Sequence, residues 1–252
     1  MKLLASILMA SGILAGNIAH AAPSSDTAVV IVHGAFSDGS DWSKVIPILQ
    51  AKGIKVREVQ NGLNSLADDV AATKRAINAQ SGRVVLVGHS WGGMVITEAG
   101  QNDKVASLVY VAAFAPDAGQ SVGDVGKDFP PSPGIQKVVA DAEGYLSLPA
   151  DAVAHDFAQD LPAAQTALMA ATQGPINSKA LGEKVSVAAW SSKPSWYIVS
   201  EKDRMIQPDL ERAMAKKIGA KTTSLPTSHV PQLSQSAAVA KVIIEAVQAS
   251  AK

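Results

Sequence analysis

Arg83-Val84-Val85-Leu86-Val87-Gly88-His89-Ser90-Trp91-Gly92-Gly93 is the stretch from which the rest of the chain is read. Its apolar, β-branched run ends at Gly88, and a helix is expected over 91–100, directly after Ser90. This is a G-x-S-x-G pattern set between strand and helix. Such a turn lifts a serine hydroxyl out of a sharp bend, and flanking residues without a Cβ let strand and helix approach closely. A tight strand-to-helix turn with an incidental serine has the same local spelling, so the reading depends on what accompanies it elsewhere.

Working outward, 28–32 and 105–112 are also apolar runs without alternation, as expected of strands covered on both faces of a parallel sheet. Residues 54–59 supply another strand. Helical spacing runs through Trp42, Val45, Ile46 and Leu49 over 42–52, with Asp41 as N-cap and Gly53 as stop, and through Leu66, Val70, Thr73 and Ile77 over 66–80. Strand and helix therefore alternate, the mark of a mainly parallel, doubly wound α/β sheet. The alternation breaks over 118–187, which hold no convincing strand. There, 135–143, 151–159 and 163–171 are alanine-rich helical candidates separated by Gly and Pro, expected to form a helical cap inserted between strands. The rhythm resumes with strand 195–200, helix 208–218, strand 221–225 and helix 234–249, giving roughly six strands in all.

The 252 residues, 47% hydrophobic and 17% charged, suit one sizeable domain, taken here as 23–252 with the cap at about 118–187. Lys and Arg together number 22, as do Asp and Glu, so there is no electrostatic case for nucleic acid or an anionic membrane. The absence of cysteine excludes disulfides, thiolate metal sites and a cysteine nucleophile. Residues 1–22 read as a secretory leader: Lys2, an apolar stretch over 3–15, and Ala19-His20-Ala21 as a cleavage site near Ala21 or Ala22. Export to the periplasm or outside the cell is the expectation, without stable membrane insertion, because the apolar stretch is too short to span a bilayer.

A serine hydroxyl is a weak nucleophile unless a base takes its proton, and the base needs an orienting acid. Among the histidines, His229 follows the last expected strand, on the side where ligands gather in open α/β sheets. His89 adjoins the nucleophile but is expected to point elsewhere, and His155 reads as structural or solvent-facing. The acid is expected after strand 195–200, with Asp203 chosen over Glu201 and Asp209, and with Asp117 as rival. Two backbone N–H groups must receive the developing oxyanion. Trp91 is one, and the other comes from Ala35 or Phe36 after His33-Gly34, with Phe36 favoured. Phe36, Trp91, Phe114 and Phe129 are candidates for an apolar substrate pocket. No metal or organic cofactor is required.

Together, Val-His-Gly-Ala-Phe (32–36), Gly-His-Ser-Trp-Gly-Gly (88–93), Glu-Lys-Asp-Arg-Met-Ile (201–206) and Ser-His-Val-Pro (228–231) resemble the α/β-hydrolase superfamily, in particular its small methylesterase/hydroxynitrile-lyase-like members. The resemblance implies an α/β-hydrolase fold with a helical cap over a triad of Ser90, Asp203 and His229. The expected activity is hydrolysis of a small-molecule carboxylic ester through an acyl-enzyme. Lactonase, hydroxynitrile-lyase or haloperoxidase-like chemistry, or a non-catalytic ligand-binding role, are the alternatives within the fold.

Overall fold

A computed structural model describes residues 26–250. The expected leader lies outside the described residues. The strands of the main sheet are β1 (Ala28–Val32), β2 (Val56–Val59), β3 (Val84–Ser90), β4 (Val105–Ala113), β8 (Ser195–Ser200) and β9 (Lys221–Leu225), all parallel, in the order β2-β1-β3-β4-β8-β9. The small strands β5 (Val139–Ala140), β6 (Tyr145–Ser147) and β7 (Ile176–Asn177) pair antiparallel in a second sheet. The helices are α1 (Val45–Gln50), α2 (Leu66–Asn78), α3 (Gly92–Ala99), α4 (Val122–Gly126), α5 (Ala150–Ala152), α6 (Ala163–Thr172), α7 (Pro208–Lys217), α8 (Pro231–Ser234) and α9 (Ser236–Ser250).

The unbroken apolar runs explain the layering. Strands β1, β3, β4 and β8 are buried along their whole length, because helices cover both faces. Successive side chains alternate between two cores: Val30, Leu86 and Tyr110 pack with helices α2, α3 and α7, whereas Val29, Val85 and Val109 pack with α1 and α9. The edge strands are the polar ones, with Arg57 and Glu58 in β2 and Lys221 and Thr222 in β9. From β1 the chain turns one way to β2 and then returns past β1 to β3. Strand order therefore reverses between β1 and β3, and the loops leaving these two strands, His33–Phe36 and Ser90–Gly92, lie side by side at the switch point.

The cap departs from the sequence expectation. Residues 118–187 show no convincing strand in the sequence, yet they carry the sheet β5-β6-β7. The helix expected at 135–143 is a 3₁₀ turn followed by β5, and that at 151–159 is α5 continued by a π-helical turn over Val153–Phe157. Only the third candidate persists as a regular helix, α6. Alanine-rich composition favours helix locally, but tertiary pairing overrides so weak a preference in short segments. Elsewhere the boundaries shift by a few residues. The 42–52 helix is split into a 3₁₀ turn over Gly39–Trp42 and α1, and the last helix is preceded by the separate turn α8.

Candidate active site

Ser90 ends β3 with φ of 51°, in the left-handed region that a non-glycine residue occupies only under constraint. The constraint is local crowding. A Cβ on Gly92 would sit 2.4 Å from the Val32 carbonyl oxygen, and one on Gly93 would sit 2.1 Å from that of Phe114. Helix α3 thus packs directly on the ends of β1 and β4, and the chain must turn at Ser90 within a single residue. The ladder to β4 slips at the same place, between His89 and Ser90.

His229 and Asp203 come from the loops after β9 and β8, and the Asp203 Oδ2 lies 2.5 Å from His229 Nδ1. The other carboxylate oxygen accepts from the Met205 and Ile206 backbone N–H groups at 2.6 and 2.9 Å, which fixes the carboxylate's direction. Both side chains are fully enclosed. The opposite ring nitrogen of His229, Nε2, is buried and has no hydrogen-bond partner among the described residues. His229 and Ser90 instead line one cavity of about 190 Å³. The acid's rivals are engaged elsewhere: Asp117 pairs with Lys217 at 3.1 Å, and both Glu201 and Asp209 with Arg212.

Of the aromatic candidates, Phe36, Trp91 and Phe114 line that cavity, while Phe129 lines an adjoining trough. The favoured oxyanion donor needs correction. The Phe36 N–H donates to the Gly174 carbonyl at 3.2 Å, a bond between the β1 loop and the cap that sequence could not reveal. Ala35 is the alternative on that loop. The Trp91 indole N–H donates to the buried Asp69 carboxylate at 2.9 Å, anchoring the side chain beside Ser90.

The histidines divide sharply. Burial lowers the pKa of His33, which accepts from the Asn61 N–H at Nε2 and so donates from Nδ1 to the Gly34 carbonyl, 2.8 Å away. His89 does stay out of the cavity, as expected, but it is not a bystander. Its Nε2 lies 2.8 Å from the His229 carbonyl oxygen, and the two rings are 4.7 Å apart. Burial, then the nearby His229, keep His89 far below the ordinary histidine value, so the neutral ring donates this bond. His155 is exposed on the cap.

Four further residues, unmarked in the sequence, surround Asp203 and His229. Glu211 of α7 is fully buried and accepts from the Ser200 N–H at 3.0 Å. Burial, reinforced by the nearby Asp203 charge, raises its pKa well above the usual carboxylate range. From the cap, Phe157 packs edge-on against His229 at 5.1 Å, and Asp160 accepts from the Ser228 N–H at 2.9 Å. Asp156 bonds Arg204 at 2.6 Å and Lys137 at 2.7 Å. Burial opposes ionisation of Asp156, but the Lys137 and Arg204 contacts prevail and lower its pKa. Among the described residues, no three His, Cys, Asp or Glu side chains converge as a metal-binding group.

Comparison with known proteins places this geometry in context. Residues 29–242 match the model of the alpha/beta hydrolase family. The chain is 27% identical to Methylesterase 2 of Arabidopsis thaliana over 240 residues, covering 81% of this chain and 91% of the relative. It is 25% identical over 260 residues to a pyrethroid hydrolase of Sphingobium wenxiniae, covering 90% and 89%. A crystal structure of a pyrethroid hydrolase superposes with a TM-score of 0.76 at 22% identity, covering 90% of this chain and 99% of that one. Polyneuridine aldehyde esterase superposes with a TM-score of 0.74 at 19% identity, covering 87% and 98%.

Proposed function

Because the chain belongs to the alpha/beta hydrolase family, we propose that it is a serine carboxylic-ester hydrolase working through Ser90, His229 and Asp203. The observation that carries the reading is the unpartnered, buried Nε2 of His229 in the same cavity as the strained Ser90, with Asp203 bonded to the opposite ring nitrogen. Methylesterase and pyrethroid hydrolase relatives support ester chemistry.

In the proposed cycle the Asp203 contact keeps the Nδ1 proton in place, leaving Nε2 to accept the Ser90 proton as Oγ attacks the acyl carbon. The Trp91 and Ala35 amides stabilise the oxyanion as negative charge develops there. His229 then returns the proton to the leaving alkoxide, and the alcohol departs. Water repeats the attack on the acyl-enzyme with His229 as base, releasing the acid and restoring Ser90. His89 and Phe157 hold the imidazole from two sides, so its small swing between serine and leaving group occurs within a fixed frame.

The test is Ser90→Ala. Hydrolysis of p-nitrophenyl acetate should fall at least about 10³-fold, with melting unchanged. A fluorophosphonate probe should label wild type at Ser90 and leave the variant unmodified. Wild-type turnover by the variant would sink the mechanism, and an unlabelled wild-type protein would favour a binding role. Export with cleavage near Ala21 or Ala22 also stands as a proposal, read directly by N-terminal sequencing of the mature protein.

A further inference from the structure

The cavity over Ser90 lies beside a second compartment of about 470 Å³. Phe114, Val122, Ile135, Leu181, Met205 and Ile206 line both, so the two compartments adjoin along a shared apolar wall. Among the described residues, the polar side chains of the inner compartment are Ser90, His229 and Trp91, whose indole N–H is already engaged with Asp69. In the outer trough, Ser132 donates to the Met205 carbonyl and Gln207 to the Pro130 carbonyl, so their donor groups are already engaged within the protein. Among the described residues, Lys127 is the one charged side chain on its wall.

Two residues without side chains leave part of the trough open. Gly123 and Gly126 lie three residues apart on α4 and both face it. Neither has the left-handed φ found at Gly53, Gly119, Gly144 and Gly219. Nor is either crowded: an added Cβ would meet only Ser121 Oγ at 3.9 Å at position 123, and only Leu210 Cδ2 at 3.8 Å at position 126. This is the opposite of Gly92 and Gly93, where backbone leaves no room. Glycine weakens a helix relative to alanine, so α4 bears a cost that neither turn geometry nor packing demands. What the two glycines leave is open volume next to the reacting serine.

We propose that the substrates are uncharged esters with an apolar arm on each side of the carbonyl, one arm in the cavity over Ser90 and the other in the trough kept open by Gly123 and Gly126. The proposal rests on the esterase reading above. An ionic arm is disfavoured because it would lose its hydration against largely apolar walls, with the Lys127 ammonium as the one charge there among the described residues, whereas each buried methylene adds on the order of fourfold in affinity.

The experiment compares kcat/KM for butyl hexanoate and ethyl acetate in a pH-stat, for wild type, Gly126→Leu, Gly123→Leu and the milder Gly126→Ala, with melting curves for each. Wild type should prefer butyl hexanoate by at least about tenfold, as two or more buried methylenes would give. In each leucine variant that melts like wild type, that preference should shrink at least about tenfold, and Gly126→Ala should fall between. A ratio unchanged in the folded variants, or a wild type that handles ethyl acetate as well as butyl hexanoate, overturns the two-arm proposal alone. If neither ester turns over and the fluorophosphonate fails to label Ser90, the esterase reading itself has failed.

Discussion

The sheet and the cap meet at the same cavity but are built in opposite ways. The sheet's central strands are fully buried, their order dictated by long apolar runs, and Ser90 is fixed by glycines that admit no side chain. The cap's strands are two or three residues long, with exposed or half-exposed side chains except for the buried Ile176, and polar bonds tie it to the sheet's loops. Phe36 to Gly174, Ser228 to Asp160, Arg204 to Asp156 and Gln159 to the Lys202 carbonyl are four such ties. The last three reach the loops bearing Asp203 and His229. The difference teaches that the sheet holds Ser90 by packing, whereas Asp203 and His229 are held partly by the cap, which therefore does more than cover the site.

Three substitutions probe that division, from the largest effect to the smallest. On the sheet side, Glu211→Leu removes the acceptor for the buried Ser200 N–H, at the end of the strand that leads to Asp203. A misplaced Asp203 should lower kcat by about 10²-fold with KM little changed. Glu211→Gln keeps the acceptor for the Ser200 N–H and should restore most of the rate. Equal loss in both variants would mean that the carboxyl group itself, rather than the hydrogen bond it accepts, is what matters.

On the cap side, Asp156→Asn leaves Arg204 and Lys137 without their enclosed carboxylate and should cost about 1–3 kcal/mol of stability, read by urea unfolding. Because contacts with Lys137 and Arg204 lower the pKa of Asp156, its stabilisation is present above the usual aspartate pKa and fades as acid protonates the folded form. The penalty of the variant should accordingly shrink below pH 4. A penalty independent of pH would reassign Asp156 to packing alone.

The smallest effect tests the loop after β1. Asp41 is bonded to Ser37 at 2.5 Å, and burial raises it to about 7; Ser37 opposes the shift, Asp38 adds to it, and His229 opposes it. Glu58, raised to about 8 by burial and then by Asp38 and Asp41, is the other titrating neighbour. Between the usual aspartate value of 3.8 and about 7 only the folded state keeps the Asp41 proton, so stability falls as pH rises through that window and levels off above it. Asp41→Asn has no proton to lose. Its melting temperature should gain on wild type between pH 4 and pH 8, and a constant difference would refute the assignment.

Much of the site was legible because its signals are local. A strand ending in G-x-S-x-G, a His-Gly pair after the first strand and a histidine after the last each announce themselves within a few residues. The supporting contacts were not. Glu211 lies eight positions beyond Asp203 in a helix whose acidic residues look solvent-facing on paper, and the tie from Phe36 spans to Gly174 across most of the chain. The neutral His89 under the His229 carbonyl was missed for the same reason: a turn tells where a neighbouring side chain does not go, without telling what it meets.

The sequence by itself determined the alternation of strands and helices, the elbow at Ser90 and the chain order of the candidate residues Ser90, Asp203 and His229, since hydrophobic period and glycine placement act over a few residues. Only the tertiary structure decided the mixed sheet-and-helix cap, the Gly174 carbonyl that occupies the Phe36 amide, the buried Glu211 near Asp203, and the trough beside Gly123 and Gly126. Those depend on segments far apart in the chain, where burial and pairing outweigh local preference by more than any short stretch can encode.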